Sequence, residues 1–169
     1  MTAPARRAFR LLFLCTGNSA RSQMAEAILN VKGRGMFHAE SAGSRPAAQV
    51  NPFAIETLRE SGIPWAGHAP RTVEGLERDP WDFVITVCDR AKESCPVFPG
   101  RPVLAHWGMP DPAAVEGDDV AKRGAFRKAF ILLSRRIDLL LALPFGELER
   151  MALEMRVQSI GADGVPSAR

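Results

Sequence analysis

Cys15 and Arg21, six positions apart in the run Cys15-Thr16-Gly17-Asn18-Ser19-Ala20-Arg21-Ser22, could together do nucleophilic chemistry on an anion. A thiolate is a strong nucleophile, and a guanidinium presents a planar fork of N–H donors that matches two oxygens of a tetrahedral oxyanion. Spacing alone is a weak signal, and Cys95 and Arg101 repeat it. In that second segment Pro96 and Pro99 lack the N–H groups a ring of donors needs, and Pro102 stands where a helix should begin. The first segment has no such defect. Gly17 and Asn18 accept the dihedrals that turn successive N–H groups inward. The amides of Thr16, Gly17, Asn18, Ser19, Ala20, Arg21 and Ser22, with the Arg21 fork, are therefore expected to cradle an oxyanion at a helix start. The same field predicts a Cys15 thiol well below the ~8.5 of free cysteine, in the roughly 3.5–7.5 range of activated thiols, with Ser22 hydrogen-bonded to the thiolate.

Removing an oxygen from a Cys-bound oxyanion requires a proton for the leaving group. Asp111, in Trp107-Gly108-Met109-Pro110-Asp111-Pro112, could supply it, although Pro and Asp equally mark a plain turn. Cys88 closes a strongly apolar strand, and ligands of open α/β sheets bind outside the carboxyl ends of strands, so Cys88 and Cys15 are expected at one edge.

The elements that must position these residues alternate in type. Short apolar runs at 8–14, 36–42, 81–87 and 102–107 read as buried strands. Helical spacing marks 21–32, 52–61 and a long amphipathic segment, 118–143, ended by Pro144. Such alternation indicates βαβ units and a parallel sheet with helices on both faces. The domain is expected over 8–143, followed over 144–169 by a C-terminal amphipathic helix and a frayed tail. In that helix, 147–160, Leu148, Met151, Ala152 and Met155 form the stripe expected to face the core, a dimer contact being the alternative.

With 169 residues and 46% apolar composition, the chain has room for one real core. The net charge of +3 is scattered, with no basic block or aromatic platform, so nucleic acid is not an expected partner. The longest apolar stretches, such as 11–15 and 137–143, the second broken by Asp138, fall far short of the roughly 20 residues a membrane crossing needs. Three cysteines, an odd number, do not make a secreted disulfide framework; they read as thiols of a cytoplasmic protein.

The run from Phe13 to Ser22 resembles the phosphate-binding loop of the low-molecular-weight protein tyrosine phosphatase family, and Gln23-Met24-Ala25-Glu26 is more similar to its arsenate-reductase branch. Further similarity runs through Ser41-Ala42-Gly43, Asn51-Pro52, 86–99 and 106–112. The resemblance implies a flavodoxin-like three-layer sandwich with a four-stranded parallel sheet. It implies Asp111 as general acid, yet Ala113 and Ala114 follow it where the tyrosine phosphatases usually carry tyrosines, and the chain contains no tyrosine. The stretch 86–96, with Cys88 and Cys95 seven apart, resembles the redox segment of thioredoxin-coupled arsenate reductases.

The resemblance implies a reaction sequence. Arsenate binds against Arg21, with phosphate and sulfate as competing anions; Cys15 attacks arsenic; Cys88 displaces arsenite from Cys15; Cys95 takes over the disulfide, which thioredoxin reduces. No cofactor is required. Some relatives hold potassium through residues matching Asn18, Glu26 and Ser41 and an aspartate, but this chain has Arg71 at the aspartate position, and no metal is expected. A continuous helix at ~1.5 Å per residue would separate Cys88 and Cys95 by about 10.5 Å. That exceeds the roughly 7 Å a disulfide tolerates, so 89–94 must unwind on oxidation unless it is already irregular. The alternatives are a phosphomonoesterase using Cys15, Arg21 and Asp111, and a non-catalytic oxyanion or redox sensor.

Overall fold

The first strand, β1 (Phe9–Cys15), is apolar through Leu11, Leu12, Phe13 and Leu14 because both of its faces are covered, as a central parallel strand demands. It pairs in parallel with β2 (Phe37–Gly43) on one side and β3 (Phe83–Thr86) on the other, and β4 (Val103–His106) adds beyond β3. The order is therefore β2-β1-β3-β4. The computed structural model describes residues 6–148 and 150–162; most of the frayed tail expected from 161 onward lies outside these described residues.

Helix α1 (Arg21–Lys32) joins β1 to β2, and α3 (Asp89–Glu93) joins β3 to β4. These two crossovers run in opposite directions along the sheet. With right-handed connections they fall on opposite faces, which makes the three-layer, flavodoxin-like sandwich the sequence implied. Helix α2 (Pro52–Glu60) starts sharply because Asn51 Oδ1 accepts from Phe53 N–H at 2.9 Å and Pro52 fills a position that needs no donor. Helix α4 (Asp119–Leu141) packs against α1 and α2 through Phe126, Ala129, Leu133, Ile137 and Leu140. Phe126 stacks on Phe53, with centroids 5.8 Å apart.

The third strand is shorter than its apolar run. Trp81 is buried just before it, its indole N–H turned to the Leu76 carbonyl at 2.7 Å and its ring under the Arg10 guanidinium. The C-terminal helix α5 (Arg150–Ile160) corrects the expected stripe. It does pack on the chain's own core, against β4, but through Leu153, Val157 and Ile160. Met151 and Met155, at 74% and 69% exposure, face outward. The docking is set by polar anchors that helical spacing does not reveal: Trp107 Nε1 donates to the Val157 carbonyl at 3.0 Å, and the buried Arg136 guanidinium reaches the carbonyls of Trp107 (2.8 Å) and Gly161 (2.9 Å).

Candidate active site

The β1–β3 register puts Leu14 beside Thr86, so Cys15 and Cys88 both emerge at the carboxyl edge of the sheet. The loop from Thr16 to Ala20 is held from outside. Carbonyls of Cys15, Thr16, Gly17 and Ser19 accept from the N–H groups of Ser44 (3.3 Å), Arg45 (2.9 Å), Ala47 (2.9 Å) and Asn51 (2.8 Å). With those carbonyls turned away, the N–H groups of Gly17, Asn18, Ser19 and Ala20 donate to nothing among the described residues. Asn18 takes a left-handed φ of 49°, which an asparagine tolerates, and is fixed by donating to Ser22 Oγ and Ser41 Oγ, both at 2.9 Å, and accepting from Arg71 N–H at 3.1 Å. Gly43 closes the arrangement: a Cβ there would collide with the Thr16 carbonyl and stand 3.0 Å from Asn18 N.

Helix α1 begins at this loop with no side-chain cap and no acidic residue in its first turn, so its own N–H groups add to the positive field. Arg21 is anchored by donating from one terminal nitrogen to the Met109 carbonyl at 3.0 Å. Its Nε is buried with no hydrogen-bond partner. The other terminal nitrogen lies 3.8 Å from Asp111 Oδ2, so the expected acid faces the expected fork. Asp111 also caps the short 3-10 turn at Pro112–Ala114, accepting from Ala113 N–H at 3.0 Å; the turn and acid readings of this residue coexist.

The charge on sulfur is distributed otherwise than expected. A hydrogen bond with Cys88, and then burial, push the Cys15 thiol up, against the pull of Arg21. Cys88 is brought down to about 5, chiefly by the hydrogen bond from Cys15 and against its own burial. Thr16 Oγ1 at 3.3 Å and Ala91 N–H at 3.4 Å assist. The pair thus holds one proton between two sulfurs, and its thiolate belongs to the pair. The thiolate expected at Cys15 is thus shared with Cys88, and the expectation for Ser22 is corrected: its hydroxyl accepts from Asn18 rather than meeting the thiol.

Cys95 stands apart. Helix α3 ends at Glu93, Ser94 caps it, and Cys95 Sγ donates only a long 3.6 Å bond to the Pro96 carbonyl. Burial pushes its thiol up. The segment from Cys88 to Cys95 is thus helical for five residues and irregular at its end. Two side chains support the site in ways the sequence did not show. His106 bridges Thr86 Oγ1 (2.7 Å) and Asp89 Oδ1 (2.9 Å), tying β4 to the start of α3 beside Cys88. Thr16 reaches Cys88, a contact that only the β1–β3 register creates.

The potassium ligands of relatives do not fit here. The Arg71 guanidinium donates to the Ser41 carbonyl and to Glu40, both at 3.0 Å, and Glu26 is bonded to His68 Nε2 at 3.0 Å. Among the described residues no cluster of three or more His, Cys, Asp or Glu is placed to hold a metal ion, and no helix is long and apolar enough to cross a membrane.

Comparison with known proteins agrees with this geometry. Residues 10–152 match the family described as low molecular weight phosphotyrosine protein phosphatase. An arsenate reductase of Halalkalibacterium halodurans is 37% identical over 127 residues, spanning 75% of this chain and 91% of its own. The crystal structure of arsenate reductase from Archaeoglobus fulgidus superposes with a TM-score of 0.59 at 32% identity, covering 76% of this chain and 98% of that one. A thioredoxin-dependent arsenate reductase of Corynebacterium glutamicum gives 0.54 at 26% identity, covering 80% of this chain and 64% of that one.

Proposed function

The chain belongs to the low molecular weight phosphotyrosine protein phosphatase family, and we propose that within it the chain is an arsenate reductase working through Cys15, Cys88 and Cys95. The observation that carries this reading is a second cysteine, Cys88, brought by the β1–β3 register to the same sheet edge as Cys15, with Thr16 of the inward-facing loop 3.3 Å from its sulfur. A phosphatase has no use for Cys88 there; a reductase requires it.

Arsenate sits on the free N–H groups of Gly17 to Ala20 and on the Arg21 fork, whose buried, unpartnered Nε supplies one donor. Phosphate and sulfate compete for the same cradle. The proton shared by the two thiols shifts to Cys88, and the Cys15 thiolate attacks arsenic while Asp111 protonates the departing oxygen. Cys88 then gives up that proton to solvent, and its thiolate attacks Cys15 Sγ. The S–As bond breaks with its electron pair staying on arsenic, so As(V) becomes As(III), arsenite leaves, and two thiols have become the Cys15–Cys88 disulfide. Cys95 attacks Cys88 and releases Cys15; the Cys88–Cys95 disulfide passes to thioredoxin. The Corynebacterium neighbour supports this donor, and a relay whose thiols must be returned to the reduced form after each turnover favours a reducing, cytoplasmic setting.

A phosphomonoesterase activity through Cys15, Arg21 and Asp111 is favoured by the family match, since the first half of both reactions is shared. The alanines at 113 and 114 offer no aromatic platform for phosphotyrosine. Arsenate-dependent NADPH consumption with thioredoxin and thioredoxin reductase tests the proposal. Sustained turnover with weak or no hydrolysis of a phosphomonoester supports it, and phosphoester turnover without arsenite supports the esterase.

A further inference from the structure

The loop after β4 carries two groups of the candidate site. The Met109 carbonyl accepts from Arg21 at 3.0 Å, and Asp111 Oδ2 lies 3.8 Å from the other terminal nitrogen of that guanidinium. The root of this loop, Trp107-Gly108, is held from three sides. From β3, the Thr86 carbonyl accepts the Trp107 N–H at 2.7 Å. From α4, one terminal nitrogen of Arg136 donates to the carbonyls of both Trp107 (2.8 Å) and Gly108 (3.2 Å). From the end of α5, the Val157 carbonyl accepts the Trp107 indole N–H at 3.0 Å, and the Gly161 carbonyl accepts from the second terminal nitrogen of Arg136 at 2.9 Å. Gly161 lies flat on the backbone that enters the loop: a Cβ there would collide with the His106 carbonyl and stand 2.9 Å from Trp107 Cδ1. Nearly all of α5 lies past residue 152, where the family match stops.

Stiffness is uneven between this root and the acid. Gly108 has the conformational freedom of a hinge, whereas Pro110 and Pro112 fix φ on either side of Asp111. A rotation at Gly108 is therefore passed on to Met109 and Asp111 together rather than absorbed before them. The two carbonyls bonded by one Arg136 nitrogen belong to the peptide units that flank Gly108, so a single side chain fixes the hinge. Arg136 is fully buried, and a buried guanidinium keeps its N–H groups bonded because leaving them unpaired is costly.

We propose that Arg136, backed by Gly161 at the end of α5, is a positioning residue for the reaction. It locks the Gly108 hinge so that Asp111 stands over the departing oxygen and the Met109 carbonyl orients the Arg21 fork. The proposal rests on Arg21 as the fork and Asp111 as the acid, roles that the reductase and esterase readings share, and not on the cysteine relay. A helix beyond the family match thereby acts on the chemistry through one buried side chain, without touching the Cys15 loop.

The test is a double-mutant cycle on the reduced, full-length protein, read as the rate of arsenite release in a single turnover at saturating arsenate. Arg136→Lys keeps the charge but cannot fork between the loop root and Gly161. Gly161→Ala pushes the end of α5 off the His106 carbonyl. Each should slow the turnover about tenfold, since a small misplacement of a catalytic group is enough for that. In an Asp111→Asn background neither should cost more than about twofold, because the acid being positioned is already gone. Leu133→Ala, a buried substitution on the same helix that removes only packing, should leave the rate within about twofold of wild type at a temperature where it is folded. A wild-type rate in Arg136→Lys and Gly161→Ala, the full loss repeated in the Asp111→Asn background, or equal slowing by Leu133→Ala would overturn the proposal. A second arm needs no turnover. Half-protection of Cys15 from iodoacetamide should require about threefold more phosphate in both variants, because the fork has lost its anchor. An unchanged requirement would overturn the link to Arg21. If the wild type releases no arsenite, the reductase reading fails, and the same cycle is decided on hydrolysis of phenyl phosphate together with the protection arm.

Discussion

A single proton held between Cys15 and Cys88 sets the reactivity of the site, and it has a pH signature. Cys88 is brought down to about 5, so a thiolate is present in the pair above that pH and is lost as pH falls through it. Alkylation of the pair by iodoacetamide should therefore persist to weakly acidic pH. Thr16→Val removes one of the hydrogen bonds to Cys88 and should move the midpoint of the alkylation profile upward. Arg21 makes a second prediction. Phosphate or arsenate should protect Cys15 from alkylation; Arg21→Ala should abolish that protection and lower kcat/KM for arsenate at least ~100-fold, as the loss of a charge-assisted anion clamp does. Lys at this position keeps the charge without the planar fork, and should restore little. The participants were legible in the sequence because a nucleophile, a fork and N–H groups must be close in the chain to form a loop. That the charge is shared with Cys88 was not. It depends first on Cys15 and Cys88 meeting, and then on Thr16 reaching Cys88 across 72 positions, contacts that only the folded register supplies.

Helix α3 is the moving part of the account. It is five residues long, held at its start by the Cys88 cap and the His106–Asp89 bond, and already finished before Cys95. Bringing Cys95 to Cys88 therefore costs the unwinding of about one turn, not of a continuous helix to Cys95. Oxidation by arsenate without reductant should increase amide exchange across 89–94. Cys95→Ser should complete at most one turnover and accumulate the Cys15–Cys88 disulfide, identified by peptide mapping; sustained turnover by this variant with thioredoxin would reject the three-cysteine relay. The strands and long helices were legible from apolar runs and helical spacing, α1 to the residue. The face of α5 was misread because a methionine stripe satisfies helical periodicity as well as the true face does. Leu153, Val157 and Ile160 win because Trp107 and Arg136, distant in sequence, hold that side against β4.

Across the whole molecule, Arg136 joins the appended helix to the loop that leads to the acid. Its buried guanidinium satisfies carbonyls of Trp107, Gly108 and Gly161, so one residue of α4 ties the end of β4, the Asp111 approach and α5 together. Arg136→Met fills the volume but leaves those acceptors unpaired. It should lower stability by about 3 kcal/mol or more, and Tm by roughly 10 °C, read by thermal denaturation. An unchanged Tm would mean that water replaces the guanidinium without cost. What the assembled site is for is decided most directly by a single turnover. The fully reduced protein, mixed with arsenate in the absence of any external reductant, should release one arsenite per chain with the loss of two thiols, and Cys15→Ser should release none. Intact thiols and no arsenite, beside hydrolysis of a phosphomonoester by the same preparation, would contradict the account and leave a phosphatase.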